Sequence, residues 1–208
     1  MGLTVVKTSA TAHSWVITAN TGRAEKTYKS RVKTTVSGEN DSAETTYVQA
    51  GKSEFVALVT SSTPSIGKDE TSLVITLVSN SKKLNAAFVS NGMDASIASM
   101  TINGDAYTNN TNILGDPGNN AEYTAVITLS FKANNMASTR SFQLQVTDNG
   151  GHAVTVTGTQ AGQTPTITVD PSTVQVSAAG GSGSITVSSN DTWTVSDVTG
   201  QEQNAQQS

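Results

Sequence analysis

Cysteine is absent from the 208 residues. That excludes a disulfide framework, a thiolate metal site and a cysteine nucleophile, so packing and hydrogen bonds alone must hold the fold. Aromatic residues make up only 5% of the chain and histidine occurs twice. Charged residues are 13%, the net charge is −4 and the isoelectric point is about 5.1. No basic field exists to attract nucleic acid or an anionic membrane, and neither is expected as a partner. Apolar runs are a few residues long, far too short to span a bilayer. No segment carries a helical stripe; the nearest, Leu84 to Ile97, is interrupted by Asn91 and Gly92. The opening MGLTVVKTSATAHSWVITAN has no basic n-region, unbroken apolar core or lipidated cysteine, so it reads as a strand-bearing start rather than a signal peptide.

What the chain does contain is alternation of period two. Tyr123, Ala125, Ile127, Leu129 and Phe131 fall on one face of an extended segment, with Thr124, Thr128, Ser130 and Lys132 mostly on the other. The same pattern recurs in Tyr28–Val36, Phe142–Val146, Val154–Val156, Ile167–Val169, Val174–Val176 and Ile185–Val187, each bounded by Gly, Asn, Asp or Pro. Threonine, valine and serine dominate these runs, and β-branched residues fit a pleated, half-covered surface. The expected class is all-β.

The chain also repeats itself. The segment from Ala19-Asn20 to Lys26-Thr27-Tyr28 matches Ala133-Asn134 to Arg140-Ser141-Phe142 at identical spacing. Each runs on to a Gln-Ala-Gly, at Gln49-Ala50-Gly51 and Gln160-Ala161-Gly162. A second match joins Thr63-Pro64-Ser65-Ile66 to Thr164-Pro165-Thr166-Ile167, followed by Val78-Ser79-Asn80 and Ser188-Ser189-Asn190. A third joins Trp15-Val16-Ile17 with Thr21-Gly22 to Trp193-Thr194-Val195 with Thr199-Gly200. The expected organisation is a partial module over 1–62 carrying later strands, a complete module over 63–162 with an insertion at about 81–122, and a partial module over 163–208 carrying first strands.

Val169-Asp170-Pro171-Ser172, Ala178-Ala179-Gly180-Gly181, Ile185-Thr186-Val187 and Ser189-Asn190-Asp191-Thr192-Trp193 resemble the opening half of a BACON domain, the Bacteroidetes-associated immunoglobulin-like module. The two endings at Gln49 and Gln160 resemble that family's closing strand, while Ser81 to Glu122 departs from it. The resemblance implies tandem immunoglobulin-like (BACON-like) antiparallel β-sandwiches, which bind carbohydrate, mucin or other surfaces and contribute no catalytic residues. Cellular members usually carry a secretion signal and a hydrolase domain, neither of which is read here. Such modules also occur in virion proteins of tailed phages of Bacteroidetes, including crAss-like phages. By that analogy the expectation is a non-enzymatic virion accessory protein of capsid decoration or head-fibre type on the capsid surface. Its expected partners are capsid subunits and further copies of itself, with host surface glycans as a further ligand class. The alternative is a bacterial cell-surface or secreted carbohydrate-binding or adhesion module; a fragment of a glycan-degrading enzyme is a distant third.

A sandwich half exposes unpaired edges and an apolar face, which folded proteins cover. Strands from Pro165–Gly200 supplied to Leu3–Gly51, in one chain or between neighbours, would do so. Against this, the third match places Trp15 and Trp193 on the same strand, so that the halves overlap. The alternative is the start of a further domain at Thr164.

No catalytic, cofactor-binding or metal-ligating residue is assigned, and no cofactor is expected. His13 and His152 sit beside turn signals, away from any serine and carboxylate pattern. Trp15 and Trp193 suit stacking on sugars, but each alternates with an apolar residue, Ile17 and Val195, as a core tryptophan does. Asn103-Gly104-Asp105, Asn109 to Asn112 and Gly115 to Asn120 are rich in oxygen ligands. Asp105 and Asp116 offer charge for calcium, yet the spacing is that of turns. Asp148-Asn149-Gly150-Gly151 reads as a hairpin turn. Asn109-Asn110-Thr111 and Asn190-Asp191-Thr192 match the glycosylation sequon, which means little without a secretory signal. No pair of carboxylates is placed for glycoside hydrolysis. In the insertion, Ile97, Met100, Ile102 and Tyr107 point to an extra strand or hairpin, packing either on a neighbouring subunit or on the sandwich's own edge.

Overall fold

The computed structural model describes residues 4–7, 13–32 and 43–196. In chain order its strands are β1 (Thr4–Lys7), β2 (His13–Val16), β3 (Lys26–Ser30), β4 (Thr45–Gln49), β5 (Val56–Leu58), β6 (Ser65–Ile66), β7 (Ser72–Ser79) and β8 (Leu84–Asn91). Then come β9 (Ser96–Ile102), β10 (Asp105–Ala106), a 3-10 turn (Pro117–Asn119), β11 (Tyr123–Ser130), β12 (Arg140–Asp148), β13 (Ala153–Gln160), β14 (Ile167–Asp170) and β15 (Thr186–Ser189). Among the described residues no helix is long and apolar enough to cross a membrane.

The alternation read in the sequence becomes the core of a central sandwich. On β11, Tyr123, Ala125, Ile127 and Leu129 are buried while Thr124 and Ser130 are exposed; on β12, Phe142, Leu144 and Val146 are buried. These rows belong to two facing sheets, one of order β10-β9-β11-β7-β5 and one of order β6-β13-β12-β8. Their side chains interdigitate with Ile75, Leu77 and Leu84, and the Phe88 and Phe142 rings meet edge-on at 6.0 Å. All pairs are antiparallel except β6 with β13, where Ser65 and Ile66 run parallel to Thr159 and Gln160. With β5, β6, β7, β8, β9, β11, β12 and β13 lettered A, A′, B, C, D, E, F and G, the sheets are ABED and A′GFC. That is an immunoglobulin-like sandwich.

Tyr123 illustrates how a polar end is accommodated in this core. Its hydroxyl donates to the buried Ser81 carbonyl at 2.8 Å, and burial pushes its pKa up to about 12. An unfolded tyrosine ionises near 10. The contribution of this group to stability is therefore full below about pH 10 and falls as pH rises toward about 12. Ultraviolet titration is expected to show the Tyr123 phenol ionising late, toward about pH 12. All four tyrosines ionising together near pH 10 would contradict this.

Flanking the sandwich are two open pieces. N-terminally, β1 pairs with β2 and β3 with β4; C-terminally, β14 pairs with β15. Three expectations need correction here. The central sandwich begins with β5, because Val56, Ala57 and Leu58 pair with Ser79, Val78 and Leu77, so residues 56–62 do not belong to the first module. The stretch 81–122 holds β8 and β9, the C and D strands, so it is part of both sheets rather than an addition to them. Around Val174–Val176 no ladder forms, and the later run is paired over Thr186–Ser189.

Candidate functional site

Two joints tie the open pieces to the central sandwich, and their chemistry is repeated. At the first, the buried Asn80 accepts from the Phe55 N–H at 3.0 Å, and its Nδ2 donates to the carbonyls of Thr21, Lys52 and Ser53 at 3.1 to 3.3 Å. Ser79 Oγ donates to the Phe55 carbonyl and accepts from the Ser81 N–H. At the second, Asn190 accepts from the Thr166 N–H at 2.8 Å and donates to the Thr164 carbonyl at 3.0 Å. Ser189 Oγ donates to the Thr166 carbonyl and accepts from the Asp191 N–H. Phe55 thus corresponds to Thr166 and Asn80 to Asn190. This overturns the second sequence match, which aligned Thr63–Ile66 with Thr164–Ile167.

The other side of each joint repeats as well. Asn20 Nδ2 donates to the carbonyls of Ala24 and Ala50, and its Oδ1 accepts from the Gly22 N–H. Asn134 does the same with Ser138, Ala161 and the Met136 N–H. The glycine of each Gln-Ala-Gly has a steric reason: a Cβ on Gly51 would stand 1.8 Å from the Arg23 carbonyl oxygen, and one on Gly162 1.9 Å from that of Ala137. Arg23 is peculiar to the first joint. Its Nε donates to the Asn80 carbonyl at 2.7 Å and lies 3.7 Å from Glu54, and its other arm pairs with Asp116. Sequence reasoning found these asparagines and glycines as repeats without seeing their task; Arg23 and Glu54 gave no repeating signal at all.

These equivalences place the open strands. Val16 and Ser130 each end a strand four residues before the shared asparagine, so β2 is an E strand, and β1, which precedes it in the chain and pairs with it, takes the place of D. Lys26 pairs with Gln49 and Tyr28 with Tyr47, as Arg140 pairs with Gln160 and Phe142 with Gly158, so β3 and β4 are F and G. Ile167, Thr168 and Val169 pair with Ser189, Ser188 and Val187, which makes β14 and β15 A and B. Trp193 follows Asn190 at the start of C, whereas Trp15 lies on E. The two tryptophans therefore do not represent one strand, and the expected overlap of the halves disappears.

Trp15 is half-buried against Tyr47, their centroids 4.9 Å apart, while Trp193 is about half exposed beside Pro165 and Ile167. Asp148 caps the β12–β13 turn by accepting from the His152 N–H and ring Nδ1 at 2.8 and 2.9 Å; the His13 side chain lies outside the described residues. Asn103 accepts from the Thr124 N–H, and Asn109 brackets Ala86 through both amide atoms. Asn103, Asn110 and Asp116 all have positive φ, the left-handed backbone that Asn and Asp tolerate. Among the described residues no three histidine, aspartate or glutamate side chains converge. Asp105 instead lines a cleft of about 540 Å³ with Ile102, Tyr107, Ile113 and the fully exposed Leu114.

No family model matches this chain. No curated protein matches it either. Among solved structures it is similar to the CsuC–CsuE chaperone–tip adhesion subunit pre-assembly complex from archaic chaperone-usher Csu pili of Acinetobacter baumannii, at 11% identity and a TM-score of 0.31. The match covers 54% of this chain and 58% of that one. Nothing about partners or activity follows from so distant a likeness.

Proposed function

We propose that the chain is a non-enzymatic structural protein of a virion, a BACON-like capsid decoration or head-fibre component that binds neighbouring capsid proteins. The observation that carries this reading is the repeated joint. At the first joint Asn80 donates to the Thr21 carbonyl and Arg23 to the Asn80 carbonyl, and at the second the Ala137 N–H donates to the Asn190 carbonyl, so that each piece is fixed to the next, which suits a spacer or building block. The resemblance of the run from Val169 to Trp193 to a BACON module, a kind of module that also occurs in virion proteins of tailed phages, supports the location. A mass-spectrometric inventory of density-purified particles of phages of Bacteroidetes tests it. Stoichiometric peptides from this chain are expected; their absence from particles, with presence in the lysate, would reject the reading.

A second reading, a surface module that binds glycans, is favoured by the cleft between Tyr107 and Leu114, where an aromatic and an aliphatic side chain flank Asp105. On that reading glycan arrays give saturable binding that Tyr107→Ala weakens at least about tenfold, the loss of about 1.4 kcal/mol. Unchanged binding after that substitution would reject the cleft.

A further inference from the structure

We propose that the C-terminal half of one chain and the N-terminal half of a second copy close into one complete sandwich, so that the chain assembles head to tail. The inference rests on module geometry and holds wherever the assembly is carried. The N-terminal half supplies D, E, F and G; the C-terminal half supplies A and B, the unpaired segment Gln175–Val176 in the place of A′, and the start of C. Among the described residues the two sets of strands do not overlap.

The apolar faces show the deficit directly. Val56, Ile66 and Ile75 are 7%, 3% and 1% exposed in the central sandwich, whereas their counterparts Ile167, Val176 and Ile185 are 59%, 55% and 50% exposed. Those central residues are covered by strands that, among the described residues, the N-terminal half shows and the C-terminal half does not. Two-stranded sheets with an uncovered apolar face are marginal in water.

A polar group makes the same point independently. Gln160, fully buried, donates through Nε2 to the Glu70 carbonyl at 2.9 Å and lies 3.3 to 3.4 Å from the carbonyls of Gly67, Lys68 and Lys132. Its counterpart Gln49 donates to Thr18, the equivalent of Lys132, and accepts from the Tyr28 hydroxyl. The turn that would complete its set is present in the other half: Gly180 N–H donates to the Ser177 carbonyl as Glu70 N–H donates to Gly67. Likewise the N–H groups of Asn134 and Ala161 donate to Lys68 and Ile66. The corresponding acceptors for Asn20 and Ala50 are the carbonyls of Ala178 and Val176.

The occupant is a second copy because the two halves of one chain leave from opposite ends of the central sandwich. The first joint contacts Asn80 and Gly118, near the start of β11, and the second contacts Met136 and Asp69, beyond its end. Eight residues of strand separate those ends by about 26 Å. Contacts of this head-to-tail kind generate rings or open filaments.

A register-specific crosslink tests the proposal. In the central sandwich Thr128 pairs with Val74 on the outer face of β11 and β7; the equivalent pair across two copies is Ser14 and Ser184. Directly opposed strand positions lie within disulfide reach, and the chain has no other cysteine. The full chain carrying Ser14→Cys and Ser184→Cys is expected to give a reducible ladder of dimers, trimers and larger species on oxidation. Mixing the two single variants is expected to stop at dimers. Shifting one partner to Thr186→Cys is expected to cut the yield at least about tenfold, as is adding Gln49→Ala, with the main melting transition unchanged. Monomer only, an intrachain disulfide, or equal ladders from the shifted pair would each overturn it.

Discussion

Phe142→Ala is expected to lower the unfolding free energy of the central sandwich by about 3–5 kcal/mol, a large share of the ~5–15 kcal/mol that holds a typical domain. The ring is fully buried, meets Phe88 edge-on and lies so close over Gly158 that a Cβ there would stand 2.3 Å from it. The paired control is Tyr28, which holds the same register position in the N-terminal half, opposite Tyr47. Tyr28→Ala should shift the central transition by less than about 0.5 kcal/mol, since it lies outside that core. Equal losses from the two substitutions in denaturant titrations would mean that the halves and the centre unfold as one unit.

Asn80→Ala is expected to cost about 3 kcal/mol, more than its size suggests. The side chain leaves behind the Phe55 N–H and the carbonyls of Thr21, Lys52 and Ser53, in a place where Asn80 itself is fully buried. The substitution should also free the N-terminal half, raising hydrogen exchange across residues 20–24 and 50–55. Asn190→Ala removes the matching contacts at the second joint, where they are exposed to water, and should cost about 1 kcal/mol. An Asn80→Ala protein with unchanged stability and unchanged exchange would remove the joint from the account.

The sandwich class was legible because the strands of the central module are long and cleanly alternating, as Tyr123–Phe131 and Phe142–Val146 are. Its first strand was not: β5 has only three residues, Val56–Leu58, and pairs through an anchor whose partner, Asn80, lies twenty-five residues from Phe55. Short apolar matches such as Thr63–Ile66 with Thr164–Ile167 outcompete such a signal, although side-chain hydrogen bonds decide the true alignment. The two tryptophans misled for a related reason. Trp15 precedes its shared asparagine by five positions and Trp193 follows its own by three, so similar neighbours hid different strands. The stretch 81–122 read as an insertion because β8 carries only a short buried pattern at Leu84 and Ala86, which single-sequence periodicity does not resolve. At the candidate sites, the turn chemistry of Asn103, Asn110 and Asp116 was visible in residue type, while the clamp formed by Arg23, Glu54 and Asp116 depends on folding and has no local signature.

In the proposed assembly this chain is one whole sandwich between two complementary halves of another. Sedimentation velocity of the purified 208-residue chain over a wide concentration range tests it most directly. Head-to-tail assembly predicts masses in multiples of 21.5 kDa that grow with concentration. It also predicts that Ile185→Asp, a change at a half-exposed position of the single chain but a core position of the closed sandwich, collapses them to monomer without altering the main melting transition. A single 21.5 kDa species at every concentration, indifferent to that substitution, would contradict it.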